Sequence, residues 1–262
     1  WAWGGTEQEA KQLSSAPSAS CILHACSGPE RAGSYSQLGL DCVNYDIMLC
    51  PSRDLLDSAA WVKLASQVER ESFVGYQSGP VCTTFAAVRG LAGGPPPLRG
   101  LGKHLYGLPD LTTAQRQQVE RDTLIADRCA WIAMRMHEQG KPFAIEQPGV
   151  RQGKPHMFQL PSYLALRRLP GVKLVSYVQC PFGSISEKRT SMLVRLVELP
   201  RWRFKPSCPH RHRWFRYEDT GEWVWTRHQT LLGKRRIVLA KDYKAAHHGH
   251  PVDYLTKAAS AY

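Results

Sequence analysis

Short apolar runs alternate with longer amphipathic stretches along most of the chain. The apolar runs end in turns and predict buried strands, at residues 21–26, 38–46, 72–78, 141–145, 172–178 and 191–196. Apolar residues at helical spacing predict helices between several of them, over 58–70, 113–139 and 156–168. Strands that alternate with helices indicate an α/β fold with an open, doubly wound sheet.

The remaining segments lack this alternation. Residues 1–20 are polar and predict a tail, and the Gly- and Pro-rich residues 90–111 predict a long loop that could close over a ligand. Residues 200–235 are basic with interleaved aromatic residues, which favours a small insertion. We therefore expect a main domain over 21–199 and 236–262, with a closing helix near residues 250–259.

Charge and cysteine usage narrow the class of protein. The formal net charge is +12, which favours a polyanionic partner such as nucleic acid. The eight cysteines form no CxxC pair, which suits reduced thiols inside a cell. No apolar run predicts a membrane span, no signal peptide is evident, and we expect no membrane association. Since the first residue is Trp, we expect the chain to be part of a longer polypeptide.

Polar residues follow the first strands where each one ends. Ser27-Gly28 comes after the first strand, and a Gly turn there lets backbone N–H groups approach a ligand. Asp46 ends the second strand, where a carboxylate can accept bonds from ribose hydroxyls, or can be an ordinary surface acid. Asp54 can bind an adenine amino group in the same cleft or cap the following helix.

Three motifs then carry a resemblance to a known family. They are a thiol-bearing loop, an acid after the fourth strand and a Gln-Cys-x-x-Gly-x(4)-Lys stretch, at Gly79-Pro80-Val81-Cys82-Thr83-Thr84-Phe85-Ala86, Glu146-Gln147-Pro148 and residues 179–188. Their order over about residues 20–258 resembles the cytosine-5 DNA methyltransferases. The resemblance is closest to the divergent methyltransferase-like domains of eukaryotic retroelement polyproteins.

This resemblance implies a class I S-adenosylmethionine-dependent (Rossmann-like) methyltransferase fold, and with it a set of roles. Residues expected to bind the S-adenosylmethionine cofactor are Cys26, Ser27, Gly28, Asp46, Asp54 and Pro80. Expected catalytic residues are Cys82, Glu146, Lys188 and Arg189, and expected nucleic-acid contacts are Arg89, Arg201, Arg203 and Arg213. Duplex DNA is the expected partner, 200–235 the recognition insertion, and the nucleus the expected location.

The expected chemistry explains why a thiol is needed. Carbon 5 of cytosine is too weak a nucleophile to take a methyl group from a sulfonium. A thiolate that adds to carbon 6 makes the ring an enamine, and a thiolate is accessible near neutral pH and can leave again. Cys82 is the candidate nucleophile, and Glu146 would hold ring nitrogen 3 and the exocyclic amine.

The sequence also departs from the family pattern and leaves alternatives open. Val81 separates proline from thiol, Ala86 replaces Ser, Gln147 replaces Asn, and His24 stands where an acid is common. Cys82 can instead be a buried structural thiol. The chain can therefore be an RNA cytosine methyltransferase, or a nucleic-acid-binding domain that kept the fold without activity.

A second candidate site lies in the basic insertion. Cys208, His210 and His212 alternate, so an extended chain would place them on one face, where they could bind zinc with Cys180 or a remote His as fourth ligand. The spacing matches no standard zinc finger, and the alternative is a basic surface. The aromatic residues around them can equally form the core of a packed hairpin.

Overall fold

Six strands form the central sheet of the protein. A computed structural model describes residues 21–28, 35, 39–87, 89–90, 94–182, 187–196, 207–217, 220–221, 223–228 and 237–239. The strands are β1 (Ile22–Ala25), β2 (Cys42–Tyr45), β3 (Gly75–Ser78), β4 (Phe143–Pro148), β5 (Lys173–Val178) and β6 (Arg189–Arg195). Each lies within or overlaps a strand that the apolar runs predict.

The sheet is mostly parallel and has the order β2-β1-β3-β4-β6-β5. The neighbours β2, β1, β3 and β4 run parallel, whereas β6 is antiparallel to both β4 and β5. The chain goes from β1 to one side to form β2 and then to the other side to form β3. In such sheets ligands bind at the carboxyl ends of the strands that flank this reversal. The α/β class with an open sheet is confirmed, and the architecture is compatible with a Rossmann-like fold.

Three helices accompany the sheet: α1 (Ser58–Glu69), α2 (Thr113–Glu138) and α3 (Pro161–Arg167). The predicted helix over 113–139 is confirmed, and it begins with a capping box in which Thr112 and Gln115 satisfy each other's backbone N–H groups. Helix α2 lies against β3 and β4 and contacts α1 and α3. The core between them is fully buried at positions such as Leu23, Ile132 and Ile145.

The predicted helix over 156–168 is divided in two. Residues Met157–Gln159 form a short 3-10 helix, Leu160 is extended with ψ 145°, and α3 begins at Pro161. Proline has no N–H to donate and disfavours helical backbone in the residue before it. A single apolar period therefore spans two elements.

The predicted loop over 90–111 packs against the rest of the protein where the structure describes it. Leu98 and Leu105 are buried, Arg99 is 2% exposed, and Gly102–Tyr106 form a 3-10 helix. The apolar residues of this segment are too few to form a periodic pattern, so the sequence alone predicts a loop without packing contacts. These contacts argue against closure of 94–108 over a ligand.

A second, three-stranded sheet has the order β8-β7-β9, from β7 (Arg213–Tyr217), β8 (Trp223–Thr226) and β9 (Ile237–Leu239). Strand β9 pairs with β7 and lies beyond residue 235, where the sequence predicts the insertion to end. The predicted tail 1–20, the helix near 250–259, Arg201 and Arg203 lie outside the described residues. Among the helices that the structure describes, none is both long and apolar enough to cross a membrane.

Candidate active site and Cys/His cluster

The loop that carries Cys82 is fixed from the neighbouring strand. Gln147 in β4 is 2% exposed, and its side-chain Nε2 donates to the Pro80 carbonyl at 2.7 Å. Gln147 therefore fixes the backbone of the loop two residues before Cys82. Beyond the thiol, the Phe85 N–H donates to the Cys82 carbonyl at 2.9 Å and closes a turn. Cys82 itself is half-buried.

A buried polar network lies beneath this turn. The Thr84 hydroxyl donates to Asp122 Oδ2 at 2.8 Å and accepts from Arg99 Nε at 3.0 Å. The Thr84 N–H also donates to Asp122, at 3.2 Å. The Arg99 guanidinium further donates to the carbonyls of Leu105 and Val119 at 2.7 and 2.8 Å. The network ties the turn to α2 and to the docked loop.

Burial shifts both ionisable members of this network. It raises the pKa of the Asp122 carboxyl, although the Thr84 bonds act in the opposite direction. It lowers the pKa of the Arg99 guanidinium to about 10. The guanidinium also lies over the Phe85 ring, 3.7 Å from its centroid. Arg99 is thus held by hydrogen bonds and by a ring, and it anchors the turn from inside the protein.

Glu146 lies on β4, beside the residue that fixes the loop, and is ion-paired. Lys188 Nζ donates to Glu146 Oε1 at 2.9 Å, and the two side chains are 39% and 31% exposed. Gln179 Nε2 lies 3.4 Å from the same oxygen and 3.0 Å from Thr190 Oγ1. Residues 179–188 therefore bring both ends of the Gln-Cys-x-x-Gly-x(4)-Lys stretch to one carboxylate.

Electrostatics connect this ion pair to the thiol. Burial raises the pKa of the Cys82 thiol above its ordinary value, the Lys188 ammonium lowers it, and the Glu146 carboxylate raises it. A cation beside a thiol stabilises the thiolate, so Lys188 offsets part of the cost of burial. The structure thus brings together three of the four predicted catalytic residues. The fourth, Arg189, is exposed and pairs with Glu187 at 3.2 Å.

Four of the predicted cofactor residues, Cys26, Ser27, Gly28 and Asp46, lie directly after β1 and β2, whereas Pro80 follows β3. Gly28 has φ +68° and its N–H donates to Asp46 Oδ2 at 2.9 Å, while Met48 N–H donates to Asp46 Oδ1 at 2.8 Å. Asp46 therefore shapes the turns, although each carboxylate oxygen keeps a second lone pair. The Ser27 hydroxyl donates to the Gly28 carbonyl at 3.1 Å.

Asp54 and Cys26 have local partners of their own. Asp54 Oδ1 accepts from the Leu56 N–H at 2.8 Å, and the cap of α1 is Asp57 rather than Asp54. Cys26 adopts φ +51°, and a hydrogen bond with Cys129 together with burial raises the pKa of its thiol well above the ordinary value. The Cys26 side chain packs against the core, and its backbone N–H donates to the Tyr45 carbonyl at 2.9 Å.

His24, the departure on β1, is a half-buried ring. Burial lowers its pKa, and the carboxylates of Asp46 and Glu146 act in the opposite direction. Its ring meets Tyr35 edge-on at 5.9 Å, and the Tyr35 hydroxyl donates to Gln77 Oε1. The His24 side chain, on the strand that lies between β2 and β3, therefore packs against Tyr35.

The β7–β8 hairpin presents an aromatic-basic face, which we define as His212, Trp214, Arg216, Trp223, Trp225 and Arg227. Trp214 lies opposite Trp225, and Arg216 lies opposite Trp223 in the strand register. Trp223 and Trp225 are 42% and 54% exposed. Arg213 alternates with these residues and lies on the other face. Arg89 donates to the carbonyls of Thr83 and Pro96, so it braces the Cys82 loop from its exposed side.

Four ligand-type side chains converge beside this hairpin: Cys180, Cys208, His210 and His228. Their ligand atoms all lie within 4.8 Å of one another. Cys208 and His210 are present as predicted, and both alternatives for the fourth ligand, Cys180 and a remote His, take part. His212 does not, because its ring stacks on Trp225 at a centroid distance of 6.1 Å. The prediction that residues 208, 210 and 212 share one face of a strand is wrong, because β7 begins only at Arg213.

Other site residues carry little or no sequence signal. Asp122 and Arg99 lie 38 and 15 residues from Thr84 and match no motif. His228 lies 20 residues from Cys208, a spacing unlike standard zinc sites. Gln179 has a signal, because it begins the Gln-Cys-x-x-Gly-x(4)-Lys stretch. A cavity of about 590 Å³ lies along α1, lined by Ser58, Val62 and Arg70 among others, and none of these residues belongs to the site.

Comparison with protein-family models, with curated proteins and with solved structures finds no match. The functional interpretation therefore depends on the geometry above and on the sequence motifs.

Proposed function

We propose that the protein is an S-adenosylmethionine-dependent DNA (cytosine-5)-methyltransferase that acts through Cys82. The observation that carries this proposal is the convergence of a loop thiol, a carboxylate and an ammonium on neighbouring strand ends, Cys82, Glu146 and Lys188. The same loop is fixed to β4 through Gln147 and Pro80. A thiol at the mouth of a parallel sheet next to a paired acid suits covalent addition to a base.

In the proposed mechanism the Cys82 thiolate forms a bond to carbon 6 of cytosine, and the ring electrons move to carbon 5. Lys188 favours the thiolate because its ammonium lowers the thiol's pKa. Glu146 accepts from the exocyclic amine, and a proton taken up from solvent lies between Glu146 and ring nitrogen 3, where it offsets the negative charge that develops on the ring. After transfer, solvent water accepts the carbon 5 proton, the double bond between carbons 5 and 6 reforms, and the bond between carbon 6 and sulfur breaks to release the thiolate.

A bound base would have to replace an existing contact. In the free protein Glu146 accepts from Lys188 at 2.9 Å. A cytosine that binds Glu146 through nitrogen 3 and the exocyclic amine would compete for the same oxygens. Lys188, once released, would remain near Cys82 and the target. A base in a duplex must also leave the stack, at a cost of a few kcal/mol.

The turns after β1 and β2 fit a nucleoside cofactor. Gly28 has φ +68° and open space where a side chain would stand, so its backbone can approach a ligand. Asp46 keeps acceptor capacity for ribose hydroxyls, and Ile47 and Met48 beside it are 52% and 79% exposed, which offers apolar contact to a flat ring. When bound, S-adenosylmethionine supplies the electrophilic methyl group.

The aromatic-basic face supports nucleic acid as the substrate. Bases stack on exposed aromatic side chains, and arginines pair with phosphates. Trp225 is 54% exposed, and the whole chain carries +12. The hairpin is small, so phosphate contacts and stacking would dominate over direct reading of base edges.

Transfer of a labelled methyl group tests the proposal. Duplex DNA, single-stranded DNA and tRNA are incubated in parallel with labelled S-adenosylmethionine, and the products are digested to nucleosides. The proposal predicts label in 5-methylcytosine of duplex DNA. Label in tRNA alone would transfer the assignment to RNA methylation.

Calorimetry with S-adenosylmethionine separates an enzyme from a binding domain without activity. An inactive domain is a real alternative because burial raises the pKa of Cys82. The proposal predicts binding that Asp46→Ala weakens by about 1–3 kcal/mol, whereas Asp110→Ala, an exposed acid remote from the site, leaves it unchanged. No binding together with no transfer would overturn the proposal.

A further inference from the structure

The cluster of Cys180, Cys208, His210 and His228 joins two separate parts of the fold. Cys180 follows β5 of the main sheet, whereas Cys208 and His210 precede β7, and His228 follows β8. Cys180 and His228 are 2% and 5% exposed. The four side chains are at least half-buried and come from distant parts of the chain. A solvated basic surface would not bring them together in this way.

The distances within the cluster are close to those of a metal site. A tetrahedral zinc ion, with bonds of about 2.3 Å to sulfur and 2.0–2.1 Å to nitrogen, places its ligand atoms roughly 3.3–3.8 Å apart. Here Cys208 Sγ lies 3.5 Å from His210 Nδ1 and 2.9 Å from His228 Nε2. All four ligand atoms lie within 4.8 Å of one another.

The donor set selects the kind of metal. Two thiolates and two imidazoles are ligands that Zn²⁺ prefers, and two thiolate charges neutralise the ion. The backbone N–H of His210 donates to Cys208 Sγ at 3.3 Å, a contact that stabilises a thiolate. The Thr226 hydroxyl donates to the His228 carbonyl at 3.1 Å and holds the end of β8 beside the cluster.

We propose that Cys180, Cys208, His210 and His228 bind one zinc ion, which fastens the β7–β8 hairpin to the end of β5. Four protein ligands leave no open position, so the site is structural rather than catalytic. Binding releases the thiol protons and forms two Zn–S and two Zn–N bonds, with no redox change.

The position of Cys180 gives this zinc a second consequence. Gln179, the preceding residue, contacts Glu146 and Thr190, and Lys188 at the other end of the same segment pairs with Glu146. Zinc therefore fixes the segment that reaches Glu146, as well as the aromatic-basic face. The effect on catalysis rests on the proposed function, whereas zinc binding itself does not.

Metal content of the purified full chain tests the zinc site. The protein is produced in zinc-supplemented medium, and zinc is measured by elemental analysis against protein concentration. The proposal predicts one zinc per chain in the wild type and at least about a tenfold lower content in Cys208→Ser and His228→Ala. His212→Ala and Cys50→Ser are the matched controls and should keep the full content. Equal loss in His212→Ala would overturn the ligand assignment.

Cobalt substitution in the wild-type chain tests the site without any variant. The metal is removed with a chelator under reducing conditions, and Co²⁺ is titrated in. Thiolate-to-cobalt charge-transfer bands and intense visible bands of tetrahedral cobalt are expected, with saturation at one equivalent and loss on addition of Zn²⁺. Absence of these bands in folded protein would overturn the proposal.

A Cys180–Cys208 disulfide is the competing chemistry, and intact mass distinguishes it. The proposal predicts the mass of the fully reduced chain under non-reducing, denaturing conditions, and two thiols that react with a maleimide only after metal removal. A mass lower by two hydrogens, with no zinc, would assign the pair to a disulfide and overturn the proposal. Failure of methyl transfer with full zinc content would leave the zinc site intact.

Discussion

At the scale of single residues, the environment of Cys82 combines opposing effects. Burial disfavours the thiolate, while the Lys188 ammonium favours it. The same ammonium is bound to Glu146. The Lys188 cation therefore contributes to the reactivity of the thiol at neutral pH, and this contribution can be measured without any substrate.

Replacement of Lys188 by Met is expected to slow alkylation of Cys82. Without the ammonium the pKa of the thiol rises further, so the rate of reaction with iodoacetamide increases with pH only at more alkaline values. The rate is followed by mass spectrometry of the Cys82 peptide between neutral and alkaline pH. Arg189→Met, which removes the adjacent exposed cation, is the control and should leave the profile unchanged. An unchanged profile in Lys188→Met would show that the cation does not act on the thiol.

At the scale of secondary-structure elements, β4 organises the site twice. Its exposed side presents Glu146, and its buried side sends Gln147 to the backbone of the Cys82 loop. Successive side chains of a strand point to opposite faces of the sheet, so the neighbouring residues Glu146 and Gln147 have different surroundings. The Gln147 side chain is long enough to reach the Pro80 carbonyl from β4.

Gln147→Leu is expected to destabilise the protein and loosen the loop. The buried Pro80 carbonyl would lose its donor, which costs about 1–3 kcal/mol. Urea unfolding of the variant measures this cost, and Gln117→Leu, the same change at an exposed position of α2, should stay within about 0.5 kcal/mol of the wild type. A wild-type free energy of unfolding in Gln147→Leu would mean that the bond contributes nothing to folding.

The elements of the main sheet were predictable because their apolar runs are short, clear and bounded by turns. Boundaries failed where local chemistry overrides periodicity, as at Pro161, which splits one apolar pattern into two elements. The strand ends placed Cys82, Glu146 and Asp46 at one edge of the sheet. The Asp122–Thr84–Arg99 network was not predictable, because its members meet only after α2 and the 94–108 segment pack together.

The Cys/His cluster was likewise predictable only in part. Cys208 and His210 are close in sequence, and their proximity was a usable signal. Cys180 was a candidate fourth ligand from the sequence, whereas His228, at the end of β8, is identified only by the tertiary arrangement. Local spacing suggested His212 instead, which belongs to the aromatic-basic face.

At the scale of the whole molecule, the charge of +12 and the aromatic-basic face suggest one polyanion-binding surface. Binding to duplex DNA should weaken steeply with salt, with log affinity falling by about 0.9 per neutralised phosphate for each unit of log salt. Arg227→Gln should reduce this slope by about the contribution of one phosphate. Arg116→Gln on α2 is the charge-matched control and should keep the wild-type slope. Fluorescence anisotropy across a salt series measures both, and a flat salt dependence would make the net charge incidental.

Covalent trapping on fluorinated DNA tests the central claim most directly. After transfer, release of Cys82 requires loss of the proton at carbon 5, and a fluorine at that position cannot leave in this way. Duplex DNA with 5-fluorocytosine should therefore form an S-adenosylmethionine-dependent adduct that survives a denaturing gel, in the wild type and in Cys50→Ser. The adduct should be absent in Cys82→Ser, whose hydroxyl is far less ionised than a thiol. Methylation that persists in Cys82→Ser, or an adduct mapped to another cysteine, would contradict the account.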